Sequence, residues 1–349
     1  MVDRTKFSQE LLSKPEAQSP GALDRIGQAK RRIQSILDRQ IVANQRTLEQ
    51  KISDQGPTNQ RVDPHLVGLG LFDLLKLNRL RSHFHPKTGT KHWYANPGTA
   101  DADVNSRLAE LAPLYDSVSG HGFGNLTGDA LELIVYKCLQ EIYDDDPRYP
   151  YQGAFHLDKP KNAQGRYHKT QPPKAIGLFS TQKEADFLQF GHAPGALCIE
   201  CKNYREWIYP HHEAIRDLIV KASELGAIPV LIARRIHYSA MTNLLAPAGI
   251  IAHESYYQYY PADQTELAER VKHKNSLGFT DVAATETPHD RTRKFFSNTL
   301  PSIVAPMAQR WKANQTALLE YANDDINQAQ LYSAIGSPAG GKWKDFSQE

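Results

Sequence analysis

Long apolar runs are missing from these 349 residues, and no stretch approaches the roughly 18 consecutive apolar residues that span a bilayer. The opening MVDRTKFSQELLSK also lacks the apolar centre of a secretory signal, so a cytoplasmic protein without a membrane partner is expected. Cysteine is scarce: Cys138, Cys198 and Cys201 are too few for a disulfide framework. The last two have a spacing that zinc sites use. Residues three apart on a strand face opposite sides, however, and no second cysteine pair exists, so small buried hydrophobes are the better reading. An excess of charge of one sign is lacking too. Lys and Arg number 41 against 39 Asp and Glu, a formal +2, so an anionic partner must be met by local patches rather than by a global field.

What is present is an ordinary globular composition, 40% hydrophobic and 23% charged, with room for two domains. Residues 1–118 read as a mainly helical region. IGQAKRRIQSILDRQIVANQRTLEQKI carries Ile26, Ile33, Ile36, Leu37 and Ile41 at roughly helical spacing, and GLGLFDLLKLNRL is a shorter apolar helix. RSHFHPKTGTKHWY follows, interleaving Arg81, Lys87 and Lys91 with Phe84, Trp93 and Tyr94. That mixture suits nucleic acid through phosphate contact and base stacking, and equally suits a solvated loop with a few anchoring rings.

Residues 119–260 have an α/β texture. After Gly128, DALELIVYKCLQEIY places Leu131, Ile134, Val135, Cys138 and Ile142 on one helical stripe, with Glu132 at its margin. KAIGLFS, ADFLQF and GALCIECK read as strands. HHEAIRDLIVKASELG is a helix with Ile215, Leu218, Ile219, Ala222 and Leu225 on one face, stopped by Gly226. IPVLIA is a strand buried on both faces, so the segment closes a right-handed parallel crossover. Beyond residue 260 the pattern returns to polar helix, clearest from Leu300 to Tyr321.

Within GALCIECK, Glu200 and Lys202 share one strand face while Leu197, Ile199 and Cys201 share the other. A charge on a central strand needs a partner, a metal or a cleft. Asp186, one strand earlier, offers a second carboxylate, and two carboxylates on adjacent strands are hard oxygen ligands of the kind magnesium takes. A lysine beside such an ion can orient the attacking water and offset charge building on a phosphate. Asp158 and the run Asp144 to Asp146 compete with Asp186 for the role. Glu49-Gln50-Lys51 repeats the Glu-x-Lys pattern, but inside a charged helix.

This arrangement resembles the PD-(D/E)xK nuclease superfamily, with a core similar to the Mrr-like and archaeal junction-resolvase branches. The resemblance covers residues 120–260, and Ala185 stands where the superfamily name has proline. It implies an α/β fold with a restriction-endonuclease-like core, a central mixed sheet flanked by helices, between helical extensions. Asp186 and Glu200 would be the metal ligands, Lys202 the catalytic lysine and Glu132 the acid of the first helix. Magnesium would be the cofactor, with manganese as a substitute.

The segment KPKNAQGRYHKTQPPK holds Lys159, Lys161, Arg166, Lys169 and Lys174 with no acid, a local basic patch suited to phosphates or a solvated insertion. Arg234, Arg235 and Trp207 are further candidate contacts. The expected activity is a magnesium-dependent endodeoxyribonuclease, foremost a type II restriction endonuclease acting on double-stranded DNA. A structure-specific junction or repair nuclease, or a binding protein that retains the fold, stand as alternatives. Residues 1–118 are candidates for DNA recognition and 261–349 for DNA contact or for pairing two copies, since cutting both strands most simply takes a homodimer.

Overall fold

The structure, a computed structural model, describes residues 20–55, 61–89 and 91–338, with the side chains of 20–22, 91, 92 and 121 outside the description. The described chain forms two compact units, residues 20–120 with 266–282, and residues 121–265 with 283–338. The residues after 260 thus divide between the two. The architecture is mixed α/β, and among the described residues no helix is long and apolar enough to cross a membrane.

In the first unit, α1 (Pro20–Gln40) ends where Ile41 takes a φ of 70°, turning the chain into β1 (Val42–Asn44). The Asn44 side chain then caps α2 (Gln45–Glu49), accepting from the Thr47 N–H at 2.8 Å. The helical spacing read from the Ile positions is therefore divided between helices, with the break at Ile41. Helix α3 (Pro64–Lys76) starts with proline in its first turn and the Asp63 cap. Ile33 and Leu37 of α1 bury against Leu66, Leu69 and Leu74 of α3, with Leu48 and Ile52 completing the cluster. RSHFHPKTGTKHWY is a hairpin of β2 (Arg81–Phe84) and β3 (Lys91–Ala95), and β3 also pairs with β1 in an antiparallel sheet of order β1-β3-β2. Helix α4 (Asp101–Ser119) follows.

The second unit opens with α5 (His121–Tyr143), which begins before Gly128 and runs through Gly122 and Gly124. Glycine weakens a helix by only about 1 kcal/mol per position, less than the burial of Leu131, Ile134, Val135 and Cys138 contributes. Five short strands come next: β4 (Tyr151–Gln152), β5 (Ala154–His156) paired with β6 (His168–Thr170), then β7 (Ala175–Ile176) paired with β8 (Phe179–Ser180). KAIGLFS is therefore a tight hairpin turning at Gly177, φ 58°, and not one strand. The chain continues through β9 (Phe187–Gln189), β10 (Leu197–Lys202), α6 (Glu213–Glu224), β11 (Ile228–Ala233), β12 (Ile251–Glu254) and α7 (Leu300–Ala322).

The main sheet has the order β12-β11-β10-β9-β4, with β4, β9 and β10 antiparallel and β10, β11 and β12 parallel. Side-chain alternation buries both faces. Leu197, Ile199, Cys201, Val230 and Ile232 pack with α5, whereas Cys198, Leu231 and Ala233 pack with Ile215, Leu218, Ile219 and Ala222 of α6. Cys198 and Cys201 therefore lie in opposite layers. Helix α7 contributes Leu300 and Val304 to the first layer and Trp311, Leu318 and Tyr321 to the second.

Candidate active site

The register of β9 and β10 brings the acids together. Gln189 faces Leu197, Leu188 faces Cys198 and Phe187 faces Ile199, so Asp186, the residue before β9, lies beside the Glu200 end of β10, where the charges of Glu200 and Glu132 act on it. Asp186 is locked from its backbone side by the Cys201 N–H, which donates to its Oδ2 at 2.6 Å. Burial raises the Asp186 pKa well above the usual carboxylate range, and the charges of Glu200 and Glu132 raise it further. Lys202 and the Cys201 N–H act in the opposite sense.

Glu200 is buried and held by two ammonium groups. Lys202 Nζ donates to Oε1 and Lys221 Nζ, from α6, donates to Oε2. The two lysines differ in freedom: the Lys202 side chain keeps 21% of its exposure and that of Lys221 only 5%. Burial disfavours the Lys202 ammonium, but Glu200 and Asp186 outweigh that and raise its pKa. Lys202 is thus a firmly charged ammonium, suited to orient water or offset phosphate charge rather than to act as a neutral base.

Glu132 enters from α5, in the other layer. Burial raises its pKa, Lys169 opposes that, and Asp129 and Glu200 add to it. Lys169 bridges Glu132 at 2.7 Å and Asp129 at 2.8 Å, and Arg166 forks onto the two Asp129 oxygens at 2.6 and 2.8 Å. Asp129 is itself buried, yet these donors hold its pKa low. The end of β10 is pinned to the same helix. Buried Asn203 donates to the carbonyls of Thr127 and Tyr259 and accepts from the Tyr259 N–H at 3.1 Å.

The structure brings Asp186, Glu200, Lys202 and Glu132 into one electrostatic cluster and leaves the competing acids outside it. Asp144 accepts from the Tyr151 hydroxyl, Asp146 is gripped by Arg148, and Asp158 is exposed in the turn after β5. The basic segment does not stand apart as a patch. Lys161 pairs with Asp263 at 2.8 Å, Lys174 with Glu184 at 3.2 Å, and Arg166 and Lys169 serve Asp129 and Glu132, while Lys159 is exposed. In the first unit Arg81 pairs with Asp101 at 2.9 Å and Lys87 lies 3.7 Å from Asp116, which His85 also contacts. The Lys91 side chain is outside the described residues.

The donor set suits one hard divalent cation held through Asp186 and Glu200. A carboxylate whose proton affinity is raised by burial and by neighbouring acids, as that of Asp186 is, is relieved by such a charge, and magnesium binds through one or two carboxylates while keeping several waters. Among the described residues no three His, Cys, Asp or Glu side chains converge closely enough to ligate one ion, so Glu132 stands in the surrounding field and not among the ligands.

Two members of the cluster carried little signal in the sequence. Lys221 sits three residues after Leu218, beside the apolar stripe of α6, where a lysine reads as solvated. Asp129 precedes the α5 stripe and finds its partners 37 and 40 residues further on. No family model matches this chain, and neither a curated protein nor a solved structure matches it.

Proposed function

We propose that the protein is a metal-dependent endonuclease that hydrolyses DNA phosphodiester bonds, most simply a type II restriction endonuclease built on a PD-(D/E)xK-like core. The observation that carries this reading is the cluster of Asp186, directly before β9, with Glu200 on the adjacent antiparallel β10, and Lys202 two residues beyond Glu200 on the same face. The order of elements supports it too: a helix bearing an acid, three antiparallel strands, then a helix and a parallel strand.

Asp186 and Glu200 would hold magnesium, which when bound supplies a Lewis acid for the phosphate and a more acidic water. Asp186 is oriented for this by the Cys201 N–H, and Glu200 by Lys221. Lys202, the more exposed of the two ammonium groups on Glu200, can swing to the attacking water or to a phosphate oxygen, where its fixed charge stabilises the transition state. Glu132 and Lys169 set the field behind the acids. A homodimer with its two sites on opposite strands would make a double-strand cut.

Incubating supercoiled plasmid with the protein and magnesium tests this. Discrete linear fragments are the expected result. Cleavage confined to branched DNA would point to a structure-specific nuclease instead, and binding with no cleavage of any DNA in magnesium or manganese would overturn the enzymatic reading.

A further inference from the structure

The loops that follow β10, β11 and β12 carry a second feature beside the acids. The ladder continues past the strand ends: the Arg234 N–H donates to the Lys202 carbonyl at 3.2 Å and the Tyr256 N–H to the Arg234 carbonyl at 3.1 Å, with Ile208 bridged to Ile236. Arg234 is buried and gives its guanidinium to the carbonyls of Tyr204 and Arg205, so the loop after Lys202 is built on a fixed base. The next residue, Arg235, is half-buried and lies 6.0 Å from the Trp207 ring centroid and 4.3 Å from that of Tyr256. Arg291 lies 4.1 Å from the same Tyr256 ring. Ring and guanidinium alternate through Trp207, Arg235, Tyr256 and Arg291.

Two observations separate this stack from incidental surface packing. Tyr256 adopts a φ of 62°, a left-handed conformation that is sterically costly for a bulky side chain, and in it the ring sits against both guanidinium groups. Arg291 is exposed, braces its Nε–H on the Glu254 carbonyl at 3.0 Å, and among the described residues forms no ion pair with a carboxylate. Arg291 differs in this from Lys161, Arg166, Lys169 and Lys174, each ion-paired with an acid of the chain, although the Glu254 carboxylate lies within the field of Arg291 and Arg235.

We propose that Trp207, Arg235, Tyr256 and Arg291 form a grip for backbone phosphates of the DNA strand being cut. A guanidinium resting on a ring is held planar and preorganised, and its N–H edge matches a phosphate in a two-pronged way that an ammonium cannot. Lys202 aligns with Glu254 across two strand spacings, about 10 Å, and Tyr256 follows two residues on, so the separation corresponds to roughly three to four nucleotides along one strand at 3.4 Å per charge. The grip therefore engages phosphates a few nucleotides from the bond addressed by Asp186, Glu200 and Lys202. It rests on the endonuclease reading and adds to it the groups that hold the substrate.

The test is fluorescence polarisation of labelled duplex DNA in calcium, with affinity followed against salt concentration. Arg291→Ala and Arg235→Ala should each weaken binding and lower the slope of log affinity against log salt by about one, and the double variant by about two. Arg291→Lys should keep the slope and still bind more weakly than wild type. Tyr256→Gly removes the ring while accepting the positive φ, and should weaken binding without lowering the melting temperature. Wild-type affinity and slope in both arginine variants, with unchanged melting, would overturn the grip and leave the nuclease reading standing. Failure of the wild-type protein itself to bind duplex DNA at low salt would overturn both.

Discussion

Replacing Lys221 by methionine keeps the length of the side chain and removes the ammonium that covers Glu200 Oε2. Both side chains are almost fully buried, 5% and 6% exposed, so the loss leaves a carboxylate oxygen in a low-dielectric layer beside Ile219 and Ala222. Removing one partner of a buried ion pair costs about 3–5 kcal/mol. The lower end applies, because Lys202 still covers the other oxygen. With a urea dependence of about 3 kcal/mol per molar, the unfolding midpoint of Lys221→Met should fall by about 1 M. Glu200→Gln strands two ammonium groups and should cost more, while the double variant should cost less than the sum, with a coupling of about 2 kcal/mol. Calcium should restore more stability to Lys221→Met than to wild type, since a divalent ion at Glu200 supplies the missing charge. A midpoint shift below about 0.3 M, or strict additivity in the double variant, would refute the buried pair.

Asp186→Asn and Lys202→Ala should each lower plasmid cleavage by orders of magnitude, with Lys202→Arg a poor replacement because it keeps charge but changes geometry; cleavage at the wild-type rate would remove that residue from the site. His253, buried and stacked on Phe295 at 4.4 Å, has its pKa held down to about 3, chiefly by burial. Its contribution is fully present above the ordinary histidine value near 6.5 and is lost at up to about 1.4 kcal/mol per pH unit as pH falls towards 3, so His253→Phe should flatten acid unfolding over that window. Gly249 has a φ of 83°, and a Cβ there would lie 2.2 Å from the Trp311 nitrogen and 2.4 Å from the Met307 carbonyl oxygen. Gly249→Ala should therefore cost more than the about 1–2 kcal/mol of the left-handed conformation alone, read as a lowered urea midpoint.

Where elements are buried on both faces, the sequence pattern and the structure coincide. The apolar runs of β10 and β11 and the stripe of α6 leave little freedom of assignment, and their burial follows the alternation of Cys198 against Cys201. The misread elements are those where a single backbone conformation or distant packing decides. Ile41 breaks a helix whose hydrophobic period continues across it, Gly177 folds an apolar run into a hairpin, and the glycines before Asp129 mask the first turns of α5. The basic segment was legible as charge but not as pairing. Apart from Glu184, which pairs with Lys174 from nearby, its acids Asp129, Glu132 and Asp263 lie 37 to 102 residues from their partners, a separation that local composition does not register. The neighbouring residues Arg234 and Arg235 look alike in sequence, yet one guanidinium is buried under a loop and the other joins the ring stack.

Charge at the cluster is nearly balanced, with Asp129, Glu132, Asp186 and Glu200 set against Arg166, Lys169, Lys202 and Lys221, but it is unevenly shared. Among the described residues no cation contacts Asp186, whose hydrogen bond comes from a backbone N–H, while each of the other three acids touches at least one ammonium or guanidinium. Its pKa is raised first by burial and then by the charges of Glu200 and Glu132, which the Lys202 charge and the Cys201 N–H only partly offset. On the proposed metal site, an ion held through Asp186 would compete with protons for its carboxylate, and Lys202, freer than Lys221, is the ammonium that could give way on Glu200. Ion affinity should then rise by up to tenfold per pH unit below the raised Asp186 pKa and level off above it. Calcium titrations at a series of pH values between 5 and 8 would follow this directly. Asp186→Asn should abolish the pH dependence together with most of the affinity, whereas a calcium affinity independent of pH throughout that range would mean that Asp186 does not ligate the ion.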